Sequence, residues 1–113
     1  MADEQMTEEK NEISEALLTS ARLAIRVNGN YFDSEIEDLI SAARRELTEI
    51  GVKAEKVNDD SDPLVKRAII TYVKAEFGLD NPDAARYRES FDKLRHHMSL
   101  SSNYREDDTD VLE

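Results

Sequence analysis

The sequence predicts an all-α fold, a small bundle of about four helices that ends in a C-terminal αα-hairpin. Apolar residues recur every three or four positions in four separate stretches, which is the spacing of one helix face. The three glycines of the chain lie near the ends of these stretches, where helices commonly stop. Asp62-Pro63 and Asn81-Pro82 stand where the last two stretches begin, and proline favours the first helical position.

The first helix is predicted from about Ile13 to Arg26. Its apolar face consists of Ile13, Leu17, Ala21 and Ala24. The helix should stop at Asn28-Gly29-Asn30, because glycine adopts the left-handed conformation without strain. An Asn-Gly pair also occurs in tight β-hairpins, but the helical spacing of the flanking residues favours a helix end.

The second helix is predicted to begin near Asp33 or Ser34. Ser34 and Glu37 have the spacing of a capping box, in which each side chain bonds a free backbone amide of the first turn. An apolar stripe follows, consisting of Ile36, Leu39, Ile40, Ala43, Leu47 and Ile50, and Gly51 ends it. The pattern fails from Val52 to Ser61, which predicts a loop.

The third and fourth helices are predicted as a tight αα-hairpin. Asp62 is the expected N-cap of the third helix, and Gly78 closes it. Asn81 is the expected N-cap of the fourth, with only two residues between it and Gly78. Phe77 and Phe91 are expected to be core anchors that join these two helices.

The net charge of −11 is concentrated at the two ends of the chain. Residues 1–15 carry six acids and one lysine, and residues 105–113 carry five acids and one arginine. Such segments repel themselves and have little to bury, so we expect flexible acidic ends at 1–12 and 105–113 around a helical domain at 13–104. A chain this acidic should not bind nucleic acid without a compensating basic patch.

Motifs that would support catalysis or cofactor binding are missing from the sequence. There is no cysteine and no apolar run near the ~20 residues of a membrane helix. Asn58, Asp60 and Asp62 have the spacing that opens a calcium loop, but proline and isoleucine occupy the positions that need glycine and glutamate. His96 and His97 are adjacent and would point about 100° apart on a helix. We therefore expect no enzyme activity, cofactor or metal site.

A basic concentration on the last two helices is the candidate binding feature. Such residues are commonly solvated helix faces with local ion pairs, and the alternative is a surface for an acidic partner. The candidate assembly interface consists of Lys66, Arg67, Lys74, Arg86, Arg88, Arg95, His97, Leu100 and Tyr104.

The order of these motifs resembles the head–tail connector family of long-tailed phages and prophages, also called head–tail adaptor or DNA-packaging proteins. The resemblance spans roughly residues 16–104. It is carried by Ile36–Ala43, Asp62–Ile70, Tyr72–Ala75, Phe77-Gly78, Asn81–Asp83, Arg86-Tyr87, Ser90-Phe91, Leu94 and His97–Ser101 with Tyr104. The resemblance implies a structural subunit without catalytic residues. The subunit would be made in the host bacterial cytoplasm and located in the virion neck.

The resemblance also implies partners. Family members form a ring beneath the portal protein, extend the DNA channel and offer a platform to a downstream neck or tail-completion protein. Copies of the chain, the portal protein and that next component are therefore the expected partners, and DNA would pass without sequence-specific binding. An acidic regulatory protein, such as a DNA mimic that binds another protein, is the alternative. Its weakness is that the charge lies at the termini rather than along one rigid face.

Overall fold

The structure, a computed structural model, describes residues 13–106. Flexible segments were predicted at 1–12 and 105–113, and of these, residues 1–12 and 107–113 lie outside the described residues. The described part contains α1 (Glu15–Ala24), α2 (Asp33–Glu49), α3 (Ala54–Val57), α4 (Pro63–Glu76) and α5 (Ala84–Leu100). The predicted all-α bundle is confirmed.

Helix α1 begins at a serine cap that was not predicted from the sequence. The Ser14 hydroxyl accepts a hydrogen bond from the Leu17 amide at 3.0 Å, and its own amide donates to Asp60 at 2.8 Å. The helix ends at Ala24, inside the predicted range. Its buried face consists of Leu17, Leu18 and Ala21.

Helix α2 begins at Asp33 without the predicted capping box. Phe32 occupies the N-cap position and makes no side-chain capping bond, so the prediction for Ser34 is wrong. The Asp33 carboxylate is instead paired with Arg22 of α1 through two hydrogen bonds, at 2.8 Å from Nε and 2.5 Å from Nη2. This bidentate pair ties the start of α2 to the end of α1.

The segment predicted as a loop contains a single helical turn, α3. One turn is too short to show an apolar periodicity, although Val52 before it and Val57 at its end are both buried. This segment and Gly51 before it are also hydrogen-bonded to the residues that follow α5. The Lys53 amide donates to the Tyr104 carbonyl at 2.8 Å, and the Glu106 amide donates to the Gly51 carbonyl at 2.6 Å. The described chain therefore remains hydrogen-bonded through Glu106.

Helix α4 has the predicted cap, and α5 does not. The Asp62 carboxylate accepts hydrogen bonds from the amides of Leu64 at 3.0 Å and Val65 at 3.1 Å, as predicted. Helix α5 begins at Ala84, so the prediction of Asn81 as its N-cap is wrong. The Asn81 side chain closes the turn instead. It accepts from the Asp83 amide at 3.0 Å and donates to the Lys74 carbonyl at 2.7 Å, so that it holds the end of α4.

Helix α4 is central, because it packs against α1, α2 and α5. Helix α5 contributes only Phe91 and Met98 to the buried residues, so much of its length remains open to partners or solvent. Phe91 is 3% exposed, and its ring meets Tyr72 of α4 with centroids 5.0 Å apart. Phe77 is half-buried and meets Phe32 edge to face at 5.4 Å. Phe77 therefore also connects the end of α4 to the start of α2.

Candidate interaction surface

A groove of about 770 Å³ runs between α4 and α5. We call it the basic groove. Its lining residues are Ser20, Pro63, Lys66, Arg67, Ile70, Thr71, Lys74, Arg86, Tyr87, Ser90, Lys93 and Leu94. On α4 these residues follow a spacing of three and four from Pro63 to Lys74, and on α5 the same spacing runs from Arg86 to Leu94. The groove is therefore formed by two facing helical stripes.

The lining of the basic groove contains five cations and no carboxylate. Arg86 is paired with Asp83 at 3.5 Å and Lys93 with Glu89 at 3.8 Å, both through exposed side chains of α5 and its N-cap. No described residue forms an ion pair with the other three, which are Lys66, Arg67 and Lys74. An anionic group would therefore find uncompensated positive charge here.

Tyr87 brings two of these cations together. Lys74 Nζ lies 4.7 Å from the centre of its ring and Arg86 Cζ lies 4.8 Å from it. Each cation is attracted to the ring, but the two repel each other. A carboxylate placed beside Tyr87 would interact favourably with both.

The floor of the groove is apolar. Ile70 and Leu94 are half-buried and line the same space as Tyr87. Pro63, the first residue of α4, also lines it. An apolar floor beneath charged walls is suited to a ligand that carries both aliphatic and acidic groups.

Two of the predicted interface residues outside the groove are engaged within the chain. Arg88 donates to Glu76 at 3.0 Å, and this hydrogen bond, with the charge of Glu76, raises its pKa. Arg95 donates to Glu46 at 2.7 Å and lies 3.3 Å from Asp92. These two arginines link α5 to α4 and α2.

The remaining predicted residues lie around the C-terminal end of α5. His97 is exposed, and Leu100 is 67% exposed. Tyr104 is half-buried, and its hydroxyl donates to the Asp62 carboxylate, whose two oxygens lie 3.1 and 3.2 Å away. Burial, followed by this hydrogen bond, raises the pKa of Tyr104. The structure therefore brings four of the nine predicted residues into the groove and places Tyr104 in a contact with the α4 cap.

The apolar floor and one groove cation were not predicted from the sequence. Lys93 is a basic residue of the last two helices but is not in the predicted interface. Its position seven residues after Arg86 places both on one face of α5, so this spacing was the available signal. The floor residues Ile70, Tyr87 and Leu94 lie on those faces and were not predicted as part of an interface.

A second exposed feature lies where the α1–α2 and α4–α5 connections meet. Tyr31 is 86% exposed and packs edge to face on Phe32, with centroids 4.9 Å apart. Leu79 is completely exposed in the other connection. The contact of Phe32 with Phe77 brings the two connections together. Isolated exposed apolar residues are ordinary, but these form an apolar end distinct from the basic groove.

The carboxylates of the loop before α4 make contacts within the protein. Asp60 pairs with Arg44 at 2.7 Å, and Asp62 caps α4 and lies 3.6 Å from Lys56. Between residues 13 and 106, no group of three or more His, Asp or Glu residues is arranged to hold a metal ion. Over the same residues, no helix combines the length and apolarity needed to cross a membrane.

The sequence model of one protein family, described as phage connector protein, matches residues 17–105. This range includes all five helices except the first two residues of α1. It also includes the whole lining of the basic groove. Comparison with curated proteins and with solved structures gives no match.

Proposed function

The chain belongs to the phage connector protein family, and from this premise we propose that it is a head–tail connector subunit that forms a ring beneath the portal protein. The family match over residues 17–105 is the observation that carries the proposal. The ring extends the DNA channel and links the filled head to the neck and tail. Its partners are the portal protein, copies of the chain and a downstream neck or tail-completion protein.

The surface of the bundle supports assembly through unlike faces. A ring requires a heterologous contact, in which two different patches of each subunit meet. The basic groove offers one patch, and the acidic exposed side of α2 offers a surface of the opposite sign, formed by Glu35, Glu37, Asp38 and Glu49. The apolar end around Tyr31 and Leu79 offers a third surface, available to the portal protein or the neck component.

The charge of the chain supports passage of DNA through the ring. The net charge of −11 lies mainly at the two ends of the chain, and acidic ends that face the channel would repel the phosphate backbone. DNA would therefore move through such a channel without adhering. The basic groove is consistent with this, because an acidic protein segment bound in it would remove its attraction for phosphate.

The proposal is tested by mixing the full chain with the portal protein and measuring particle mass. We expect a species whose mass corresponds to several copies of the chain on one portal assembly, seen as an added ring in electron micrographs. A chain that stays monomeric beside an intact portal would contradict the proposal. If it instead copurified with a DNA-binding protein and displaced that protein's DNA, a DNA-mimic function would replace it.

A further inference from the structure

We propose that the basic groove binds the acidic segment Asp107–Glu113 of a neighbouring copy of this chain. The inference rests on the proposed function, because a ring is what places copies side by side. It identifies the contact that joins one connector subunit to the next. The groove, the composition of the segment and the position at which the described chain ends each support it.

The groove has the chemistry of a site for an acidic peptide. Three of its five cations have no ion-pair partner among the described residues, and two cations lie over one tyrosine ring. Carboxylates entering the groove would form charge-assisted hydrogen bonds with lysine and arginine. Its volume of about 770 Å³ lies within the range of sites that enclose compact ligands, and aliphatic side chains can contact Ile70 and Leu94.

The segment after Glu106 has the complementary composition. It contains four carboxylates in seven residues, at Asp107, Asp108, Asp110 and Glu113, and no base. Val111 and Leu112 supply the aliphatic groups. Residues 1–12 are also acidic, but they are less densely charged and include Lys10. The C-terminal segment is therefore the better match to both the walls and the floor of the groove.

The two patches are formed by different elements of the subunit. Glu106 is hydrogen-bonded to Gly51, so the segment departs from the connection between α2 and α3. The groove is formed by α4 and α5 with Ser20 of α1, and no residue of α2 or α3 lines it. Seven extended residues reach at most about 25 Å. A head-to-tail ring contact requires that the patch supplying the segment differ from the patch that binds it.

The acidic face of α2 from a neighbouring copy fits the groove less well. Its exposed residues are all polar or charged, namely Ser34, Glu35, Glu37, Asp38, Ser41, Arg45, Thr48 and Glu49. It would leave the apolar floor of the groove uncovered. A helix is also about 10 Å wide with its side chains, whereas a single extended strand needs less room.

The first test measures binding of a peptide with the sequence of residues 106–113. The recipient is the full chain with its own segment neutralised by D107N, D108N, D110N and E113Q. We expect saturable binding, with amide shifts confined to α4 and α5, and at least tenfold weaker affinity in the additional variant K66E/R67E. Binding should weaken with added salt, because charge interactions in the groove are partly screened.

Matched control variants show whether loss of peptide binding is specific to the groove. R45E makes the same kind of charge reversal on an exposed α2 arginine outside the groove. It should bind the peptide as tightly as its parent. K74Q/R86Q is a second groove variant that avoids introducing acids, and it should also weaken binding. Absence of saturable binding, or an equal loss in R45E, would overturn the inference.

The second test asks whether the segment comes from a neighbour. The chain has no cysteine, so a single disulfide can be introduced cleanly. One copy carries T109C and a size tag, and a second carries S90C, which lies in the groove. Assembled on the portal protein under mild oxidation, they should form a disulfide between the two chains. A third chain carries both T109C and S90C. A disulfide within that chain, without one between the two single-cysteine copies, would overturn the inference.

The same assemblies separate this inference from the proposed function. Rings on the portal protein without a link between Thr109 and Ser90 positions would refute the segment contact and leave the connector function standing. Peptide binding in the groove of a chain that never joins the portal protein would refute the connector function instead.

Discussion

At the residue scale, the carboxylates of Asp60 and Asp62 before α4 bond to residues distant in the sequence. Asp60 joins Arg44 of α2 and the amide of Ser14, and Asp62 joins the α4 cap to Tyr104. Their partners lie 16, 46 and 42 residues away, apart from the local cap. The cap was predictable because its signal is local. The other contacts were not, because sequence periodicity carries no information at those separations.

We predict that Asp60→Asn destabilises the protein by about 3 kcal/mol. The substitution removes the negative charge that pairs with Arg44, and breaking a buried ion pair costs about 3–5 kcal/mol, with the slight exposure of this pair favouring the lower end. The two side chains are 9% and 13% exposed. Urea unfolding gives the free energy directly. Glu49→Gln breaks the exposed pair with Arg45 and should cost less than about 0.5 kcal/mol. Equal effects would contradict the assignment.

We predict that the pair of Arg22 and Asp33 makes the fold sensitive to acid. Hydrogen bonds from Arg22 lower the pKa of Asp33 below its ordinary value of 3.8. A carboxyl with a lowered folded-state pKa stabilises the fold above its ordinary pKa, and this contribution is lost as pH falls through the folded-state pKa. Asp33→Asn should therefore reduce the loss of stability between about pH 5 and pH 2. Urea midpoints across this range provide the measurement.

The control for that prediction is Glu37→Gln, also on α2. Glu37 is exposed and forms no ion pair with a described residue. Its substitution should leave the acid dependence close to that of the unmodified chain. If Asp33→Asn and Glu37→Gln gave the same curve, the Arg22 contact would not be the cause.

At the scale of elements, the predicted N-cap of a helix is correct where no other contact of the fold competes for the capping residue. Asp62-Pro63 gives α4 its start, because the carboxylate caps two amides and proline suits the first turn. Asn81-Pro82 has the same form. The side-chain amide of Asn81, however, donates a hydrogen bond to the Lys74 carbonyl, and α5 begins only after Asp83. Ser34 does not cap α2, because the helix already begins at Asp33, whose carboxylate is paired with Arg22, two residues before the start that a Ser34 cap implies.

We predict that the two phenylalanines of the hairpin contribute unequally to stability. Phe91 is 3% exposed against Tyr72, so Phe91→Ala should cost about 3–5 kcal/mol through lost burial and a cavity. Phe77 is half-buried beside Phe32, where the space left by Phe77→Ala opens to solvent, and the cost should be nearer about 1–2 kcal/mol. Chemical denaturation of both variants gives the comparison. A larger loss at position 77 would show that the contact between α4 and α2 dominates.

At the scale of the whole molecule, the C-terminal residues after α5 close the bundle. The contacts of Tyr104 with Asp62 and Lys53, and of Glu106 with Gly51, join the end of the described chain to the start of α4 and to the connection before α3. Four of the five groove cations were predicted because charge is visible in sequence. The apolar floor was not, because half-buried residues have the same periodicity as core residues.

We predict that truncation after Leu100 destabilises the subunit and that truncation after Glu106 does not. The first removes the Tyr104 hydroxyl, the Tyr104 carbonyl and the bridge between Val52 and Arg105, and it leaves the buried Asp62 without one of its donors. The second keeps all of these contacts. Thermal melting should show a decrease of at least about 4 °C for the first, the shift expected from 1 kcal/mol in a domain of this size. Equal melting temperatures would show that these contacts add nothing to stability.

We predict that Leu100 contributes to assembly without contributing to folding. It is 67% exposed at the end of α5, so Leu100→Ser should leave the melting temperature unchanged. In the proposed ring its burial against a neighbour or the portal protein would be lost, and that loss would persist at high salt because apolar burial is not screened. Leu23→Ser is the matched control, since Leu23 is 70% exposed on α1, outside the predicted interface. Particles assembled with each variant are imaged and counted for joined tails. We expect fewer joined tails for Leu100→Ser, and equal numbers in the two variants would remove Leu100 from the interface.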